Sequence, residues 1–181
     1  MIAALRPALT GLPVLETERL VLRGPQLADW PAFRDYRASP GTAFTGGVKK
    51  EHEAAEQFAS FFGHWVMRGH GRLIAADRAT GRAIGHFGPM QWDDGAEVEM
   101  TWSLWSAQDE GKGLATEAAS AMHDWAFGPL GLTSARAEVH PDNAPSHAIA
   151  RRLGGRLSPE ERPKWMELGA VYRFSATGAA A

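Results

Sequence analysis

The segment from Gln108 to Ala118, with the sequence Q-D-E-G-K-G-L-A-T-E-A, carries the strongest chemical signal in the chain. Gly111 and Gly113 allow main-chain N–H groups to approach a ligand closely, because glycine has no side chain and adopts turn conformations easily. A helix start is expected directly after them, and its unpaired N–H groups and positive dipole end favour an anion. These features together predict a phosphate-binding turn.

Spacing excludes two common phosphate-binding motifs. A P-loop requires the pattern G-x-x-x-x-G-K-[ST], whereas Lys112 stands between two closely spaced glycines. A dinucleotide-binding fingerprint requires a third glycine at the position of Thr116. The pattern that fits is Q-x-x-G-x-G, formed by Gln108, Gly111 and Gly113. Taken alone, this pattern also fits a turn with a purely structural role.

The run of residues 96–104, just before the turn, has the alternation of a strand. Its two faces consist of Glu97, Glu99, Thr101 and Ser103 on one side and Val98, Met100, Trp102 and Leu104 on the other. A carboxylate in the middle of a packed strand costs stability unless it is hydrated or functional. Glu99 is therefore the candidate general base, and exposure to solvent is the alternative.

The remaining patterns predict a mixed architecture around this segment. Strands are expected at 17–23, 73–76, 83–92, 96–104, 133–139 and 171–174, and helices at 26–38, 51–67, 111–127 and 144–153. This order predicts an α/β (α+β mixed) fold with a central, mostly antiparallel sheet and one crossover helix. We expect a single domain over residues 1–181, with a poorly ordered arm at 1–15 and tail at 175–181.

Composition narrows the partners and cofactors. The 181 residues include 19 Lys or Arg and 21 Asp or Glu, and this balance gives no support for nucleic acid or a membrane surface as a partner. Cysteine is absent, which excludes disulfides, thiolate nucleophiles and cysteine–zinc sites. The histidines show no zinc-motif spacing, so no metal is expected. No apolar run reaches the roughly 18 residues that span a bilayer, and a cytoplasmic protein is expected.

Several ordered motifs resemble the GNAT superfamily of N-acyltransferases, especially its ribosomal-protein (Rim-type) branch. The Q-x-x-G-x-G turn is similar to the family's pyrophosphate signature. Further resemblances lie in T-E-R-L-V-L-R at 17–23, T-G…I-G at 80–85, E-M-T-W-S-L at 99–104, G-L-A-T-E-A at 113–118, and N-A-P-S at 143–146 followed by L-G at 153–154. The resemblance covers roughly residues 15 to 157.

The resemblance implies acetyl-CoA as co-substrate and a sheet that splays at the strand before the turn. The pantetheine arm would pair with the backbone of Trp102, Ser103 and Leu104. The pyrophosphate would be held by main-chain N–H groups of the turn, namely those of Gln108, Gly111, Lys112, Gly113, Leu114 and Ala115. Glu99 would act as base, Ser146 would donate to the departing thiolate, and Asn143 would position the pantetheine amide. Helix capping is the alternative for Asn143.

The implied activity is direct transfer of an acetyl group to a primary amine, either a protein N-terminal α-amine or a small-molecule amine. Two departures from the family pattern leave a non-catalytic acyl-CoA-binding or regulatory domain as the alternative. Ala150 stands where many members have a tyrosine acid, and Gly155 stands where an aromatic residue is expected. Acceptor specificity is expected from residues 40–47, 51–67 and 157–168. Many family members dimerise, which favours a homodimer.

Overall fold

Alternating apolar residues and glycine turns divide the chain into a series of strands and helices. The computed structural model describes residues 9–163 and 169–176. The strands are β1 (Leu15–Glu16), β2 (Leu20–Arg23), β3 (Leu73–Asp77), β4 (Ala83–Met90), β5 (Glu99–Leu104), β6 (Ser134–Val139), β7 (Arg156–Ser158) and β8 (Ala170–Ser175). The helices are α1 (Trp30–Arg37), α2 (Glu51–Arg68), α3 (Leu114–Phe127) and α4 (Ala144–Arg152). None of the helices in the described ranges has the length and apolar character needed to cross a membrane.

The strands form one sheet in the order β1-β2-β3-β4-β5-β6-β8-β7. Neighbours are antiparallel except β5 and β6, which are parallel because α3 crosses over between them. Their register consists of the single pair Glu99 and Arg136, so the two strands separate beyond that point. The predicted mixed, mostly antiparallel sheet with a splay before the glycine turn is therefore confirmed.

Element boundaries differ from the predictions where turns intervene. Helix α3 begins at Leu114, later than the predicted start at residue 111, because Gly113 has a left-handed conformation with φ of 78°. The predicted strand 96–104 begins at Glu99, because the turn before it extends further along the chain. Strands β1 and β7 were not predicted, since runs of two and three residues are too short to show alternation.

The chain ends are only partly described. Leu9, Leu12 and Leu15 of the predicted loose arm pack against the core, so this part of the arm is held by apolar contacts. The rest of the predicted arm, the end of the predicted tail and part of the predicted specificity loop lie outside the described residues, at 1–8, 177–181 and 164–168.

Two apolar clusters lie on opposite faces of the sheet. Leu73 and Ala75 belong to the cluster that contains the buried face of α3, whereas Ile74 between them belongs to the other cluster. Successive side chains of a strand point to opposite faces, which accounts for this division. The second cluster joins α1 and α2 to the sheet through Phe33, Tyr36, Phe58, Phe61, Ile74 and Trp105. Glu99 and Thr101 face the same side as this aromatic cluster, because Met100 between them packs with α3.

A close backbone approach at Gly88 of β4 gives a test of the fold. A Cβ atom there would lie 2.6 Å from Arg72 Cα and 2.6 Å from the Gly71 carbonyl oxygen. We expect Gly88→Ala to lower the free energy of unfolding by about 1–3 kcal/mol through overpacking, measured by urea denaturation. Gly63→Ala is the matched control, because Gly63 lies within α2 beside open space. It should raise stability by roughly 0.5–1 kcal/mol. Equal urea midpoints for Gly88→Ala and wild type would contradict this packing.

Candidate active site

A cleft of about 470 Å³ opens on the aromatic face of the sheet, and its volume lies within the range of small-molecule sites. Its walls include Phe33, Tyr36 and Arg37 of α1, Phe44 and Thr45 of the following loop, Glu99, Thr101 and Ser103 of β5, and Asn143 and Ser146 at the start of α4. The structure thus brings the predicted base and the predicted thiolate partner to one cavity. Their catalytic roles remain predictions.

Glu99 is half-buried in the cleft, at the point where β5 and β6 pair. The Trp92 indole N–H donates to its Oε2 at 3.3 Å. Burial raises the pKa of Glu99 above its usual value, and the nearby Glu138 carboxylate raises it further, against opposing effects of Trp92, Arg72 and Arg136. A carboxylate with a raised pKa is a stronger base, and general bases work best with a pKa near the working pH.

Ser146 is held by contacts from two different elements. The indole N–H of Trp102 in β5 donates to Ser146 Oγ at 3.1 Å, across the gap between β5 and α4. The Ser146 main-chain N–H donates to Asn143 Oδ1 at 3.2 Å, so Asn143 is the N-cap of α4. The capping alternative for Asn143 is therefore observed, and its side chain also lines the cleft. Because the Ser146 hydroxyl accepts from Trp102, its own proton is available to another partner.

The glycine turn is anchored to the sheet by an ion pair between a buried carboxylate and an exposed arginine, which no sequence motif indicated. Asp109 is 2% exposed and receives two hydrogen bonds from the Arg82 guanidinium, at 2.7 and 2.9 Å. Such bidentate pairs fix geometry as well as charge. Ser106 Oγ accepts from the Gln108 N–H at 3.3 Å and shapes the same turn. An acid inside the turn motif was the one sequence signal for this anchor.

The main-chain geometry after Asp109 is suited to an anion. Gly111 and Gly113 have φ of 70° and 78°, which only glycine adopts without strain. The Glu117 N–H donates to the Gly113 carbonyl at 3.0 Å, and helix geometry leaves the amides before it without an intrahelical acceptor. All the predicted pyrophosphate residues lie on this turn or on the first residues of α3, namely Gln108, Gly111, Lys112, Gly113, Leu114 and Ala115. The N–H groups from Gly111 to Ala115 and the helix dipole are suited to an anion, whereas the Gln108 N–H already has an acceptor in Ser106 Oγ. Pyrophosphate binding here stays a prediction.

A clamp between the first strands and α3 holds the turn from the other side. The Glu117 carboxylate accepts from Thr17 Oγ1 at 2.5 Å, from the Arg19 N–H at 2.8 Å and from Arg19 Nε at 2.7 Å. Arg19 Nη1 also donates to the Lys112 carbonyl at 2.9 Å. The two motifs that contribute to this clamp, at 17–23 and 113–118, are both visible in the sequence, but their contact is not.

The predicted pantetheine strand lies beside the splay. Trp102, Ser103 and Leu104 are half-buried and pair with β4 on one side. Their other edge faces the gap left by β6, since the pairing of β5 with β6 is at Glu99. A strand edge of this kind presents main-chain donors and acceptors to an extended, amide-rich ligand.

His86 forms a buried, neutral part of the cleft wall. It is 7% exposed, and its Nδ1 lies 2.9 Å from Nε1 of Trp105. Indole is only a donor, so Nδ1 accepts and the proton of the neutral ring is on Nε2. Burial holds the pKa of His86 well below its usual value, and the charges of Arg72 and Arg37 act in the same direction. Over the described part of the chain, no three histidine or carboxylate side chains come together as a metal site would require.

Two buried arginines line the cleft, and no sequence motif pointed to either. Arg37 donates to the carbonyls of Thr45 and Gly47 and thereby fixes the loop after α1. Arg72 precedes β3 and donates from Nε to Thr101 Oγ1 at 3.1 Å. Sequence alone gives no sign of their burial, because arginine is mostly an exposed residue.

Comparisons with known proteins agree with this geometry. A family model described as an acetyltransferase (GNAT) domain matches residues 19–156. An acetyltransferase from Agrobacterium tumefaciens strain C58 is 37% identical, with a TM-score of 0.83 over 93% of this chain and 98% of that chain. Two further solved structures have the same fold at lower identity.

One is the ribosomal-protein-S5-alanine acetyltransferase from Vibrio fischeri, 16% identical with a TM-score of 0.76 over 93% of this chain and 100% of that chain. The other is a ribosomal L7/L12 alpha-N-protein acetyltransferase in complex with coenzyme A, 14% identical with a TM-score of 0.71 over 90% of this chain and 98% of that chain. The family model spans the glycine turn, the splayed strands and the start of α4, and this protein belongs to the GNAT acetyltransferase family.

Proposed function

We propose that the protein is an acetyl-CoA-dependent N-acetyltransferase that transfers the acetyl group directly to a primary amine, on a protein N-terminus or on a small molecule. The observation that carries this proposal is the position of Glu99. Its carboxyl group has a raised pKa and lies in the cleft where the open edge of β5 begins. A base at this point is next to both the acceptor cavity and the strand that would hold the thioester.

The residues of the turn fit the donor. Gly111 lies beside open space, so nothing within 4 Å of its Cβ position blocks a phosphate from its amide. Lys112 is exposed and adds a positive charge at the helix start. The edge of Trp102, Ser103 and Leu104 would pair with the pantetheine amides, and Asn143 lies at the far side of the gap. Acetyl-CoA supplies the activated acyl group.

The proposed chemistry uses two side chains of the cleft. The amine nitrogen attacks the thioester carbonyl carbon, a C–N bond forms, and the amine proton passes to Glu99 directly or through water. The C–S bond then breaks, and the Ser146 hydroxyl donates a hydrogen bond to the thiolate. Because that hydroxyl accepts from Trp102, its proton is a better donor than that of an isolated serine.

The alternative of a non-catalytic acyl-CoA-binding domain rests on Ala150, which is fully buried where other members have a tyrosine acid. The second departure has a packing explanation. A Cβ atom at Gly155 would lie 2.7 Å from the Ala150 carbonyl oxygen and 2.8 Å from the Phe174 ring, so Phe174 occupies the space near that position. Ala150, Gly155 and Phe174 do not belong to the cleft lining. Turnover separates the two functions.

Donor binding is tested at Gly113. We expect Gly113→Glu to raise the Kd for acetyl-CoA about tenfold or more, because the substitution adds a side chain and a negative charge at an anion site. Gly131→Glu is the matched control, since Gly131 also has a positive φ and is exposed, but lies beyond the opposite end of α3. It should leave the Kd within about twofold. Calorimetry reads binding, and CoA release with a panel of amines reads turnover. A wild-type protein that neither binds acetyl-CoA nor releases CoA would disprove the proposal.

The base is tested by the pH dependence of turnover. Only the deprotonated carboxylate accepts a proton, so kcat should rise with pH through the pKa of Glu99, above the usual range for glutamate. Glu99→Gln should lower kcat by roughly 10²–10⁴-fold and remove this limb of the profile. Its thermal stability above neutral pH should equal or exceed that of wild type, because a buried ionised carboxyl is removed. Glu97→Gln, outside the cleft, is the control. An unchanged profile in Glu99→Gln would assign the base to another group.

The partner of the thiolate is tested at Ser146. Ser146→Ala should lower kcat by roughly tenfold with little change in the Kd for acetyl-CoA, because the lost hydrogen bond forms as charge develops on sulfur. Trp102→Phe removes the donor to Ser146 and should give a smaller decrease. Ser134→Ala, at an exposed position of β6, is the control. Turnover unchanged by both Ser146→Ala and Trp102→Phe would refute this assignment while leaving the proposed reaction intact.

A further inference from the structure

The Arg72 guanidinium is a buried cation in the wall of the cleft. The residue is 7% exposed and lines the cavity. Its Nε donates to Thr101 Oγ1 at 3.1 Å, its Nη2 lies 2.7 Å from Met90 Sδ, and its central carbon lies 5.0 Å from the centre of the Phe61 ring. The Thr101 hydroxyl in turn donates a hydrogen bond to the Gly88 carbonyl at 2.8 Å, so its proton already has an acceptor. A thioether is a weak acceptor, and the guanidinium has further donors to offer.

No carboxylate oxygen of residues 9–163 or 169–176 comes within 4.0 Å of the Arg72 guanidinium nitrogens, in contrast to the paired Arg82 and Arg136. Burial lowers the pKa of Arg72 to about 10, against a favourable effect of Glu99, and the group therefore stays protonated at neutral pH. A buried charge without a close counterion is destabilising, and removing it from a protein is often neutral or stabilising. Binding of an anionic ligand would supply the missing counterion and account for the presence of a buried arginine here.

Two of the other charged groups of the cleft are engaged by partners other than Arg72. Arg37 is buried as well, and its hydrogen bonds go to neutral oxygens of Thr45 and Gly47. Glu138 is engaged by Arg136. The Glu99 carboxylate is the remaining acid in the cavity lining, and the proposed reaction neutralises it when it takes a proton.

We propose that the amine acceptor is a compact molecule that also carries a carboxylate, as an amino acid does, and that Arg72 binds this carboxylate. This inference rests on the proposed N-acetyltransferase function. Thr101, which holds Arg72, follows Glu99 on the same face of β5, about 7 Å further along the strand. Glu99 and Arg72 line the same cavity, so an acceptor with its amine and carboxylate a few bonds apart would present one group to each of them. A guanidinium suits this role because it binds a carboxylate through paired hydrogen bonds.

The experiment compares amino acids with their carboxamides, which have the same amine and lack the negative charge. Initial rates of CoA release give kcat/KM for each member of a pair, corrected for the fraction of unprotonated amine. Calorimetry with the CoA-bound enzyme compares the N-acetylated amino acid with its carboxamide, and this readout needs no turnover. We expect wild type to favour the carboxylate by about tenfold or more in both measurements.

Substitutions assign the preference to Arg72. Arg72→Met should bring the carboxylate-to-carboxamide ratio close to one and leave or raise the melting temperature, since the buried cation is removed. Arg72→Lys should retain part of the preference and serves as a second variant if Arg72→Met fails to fold. Arg34→Met, which removes an exposed arginine of α1 paired with Asp35, is the matched control and should keep the wild-type ratio.

The outcomes separate this inference from the proposed function. A carboxylate-to-carboxamide ratio near one in wild type would overturn the assignment of Arg72, and so would a carboxylate preference that survives in Arg72→Met. In either case, CoA release with any amine would still support the N-acetyltransferase reaction. Acetylation of N-terminal peptides with no acetylation of free amino acids would likewise overturn the assignment of Arg72. If no amine led to CoA release and neither acetylated product bound, both the proposed reaction and the role of Arg72 would be overturned.

Discussion

The parting of β5 from β6 is the constraint on which the rest of this structure depends. The two strands pair at Glu99 and Arg136 and then diverge, and the chain crosses from one to the other through α3. The sheet therefore has an unpaired strand edge between two of its inner strands, in addition to those of its outermost strands. Residues of β5 and the cap of α4 line the cleft beside this open edge, and β5 leads through the glycine turn to the start of α3. The proposed donor would contact the backbone of more than one element, and backbone contacts tolerate variation in side chains.

The pKa shifts of the two charged groups Glu99 and Arg72 have the same main cause, which is desolvation. Burial raises the pKa of the Glu99 carboxyl and lowers the pKa of the Arg72 guanidinium, so both groups are shifted toward their neutral forms. The negative charge of Glu99 and the positive charge of Arg72 stabilise each other. The protonation of the base is therefore coupled to the charge of the molecule in the acceptor cavity. A bound anion near Arg72 would favour the protonated form of Glu99, and a bound amine would favour its ionised form. The acceptor itself thus influences the strength of the base.

Local patterns predicted the strands, helices, glycine turn and splay, because these features are encoded by neighbouring residues and by motifs with fixed spacing. The pairings that hold the turn were not predictable in the same way. Thr17 and Glu117 are 100 residues apart in sequence, and Arg82 and Asp109 are separated by 27. Arg72 was missed for a related reason, since its burial depends on Gly88 and Thr101 in neighbouring strands. A homodimer and a cytoplasmic location stay predictions from the sequence.

The clamp between Arg19 and Glu117 ties the outer edge of the sheet to the anion-binding turn. Arg19 lies in the turn between β1 and β2, and the same side chain contacts Lys112 within the glycine segment. The ordered turn is therefore stabilised by a residue more than 90 positions away in sequence, a contact with a long loop to close. The linkage also acts in reverse: an anion that orders the turn stabilises the first hairpin by mass action. Amide exchange in β1 and β2 would consequently slow when a ligand binds far from them, at the start of α3.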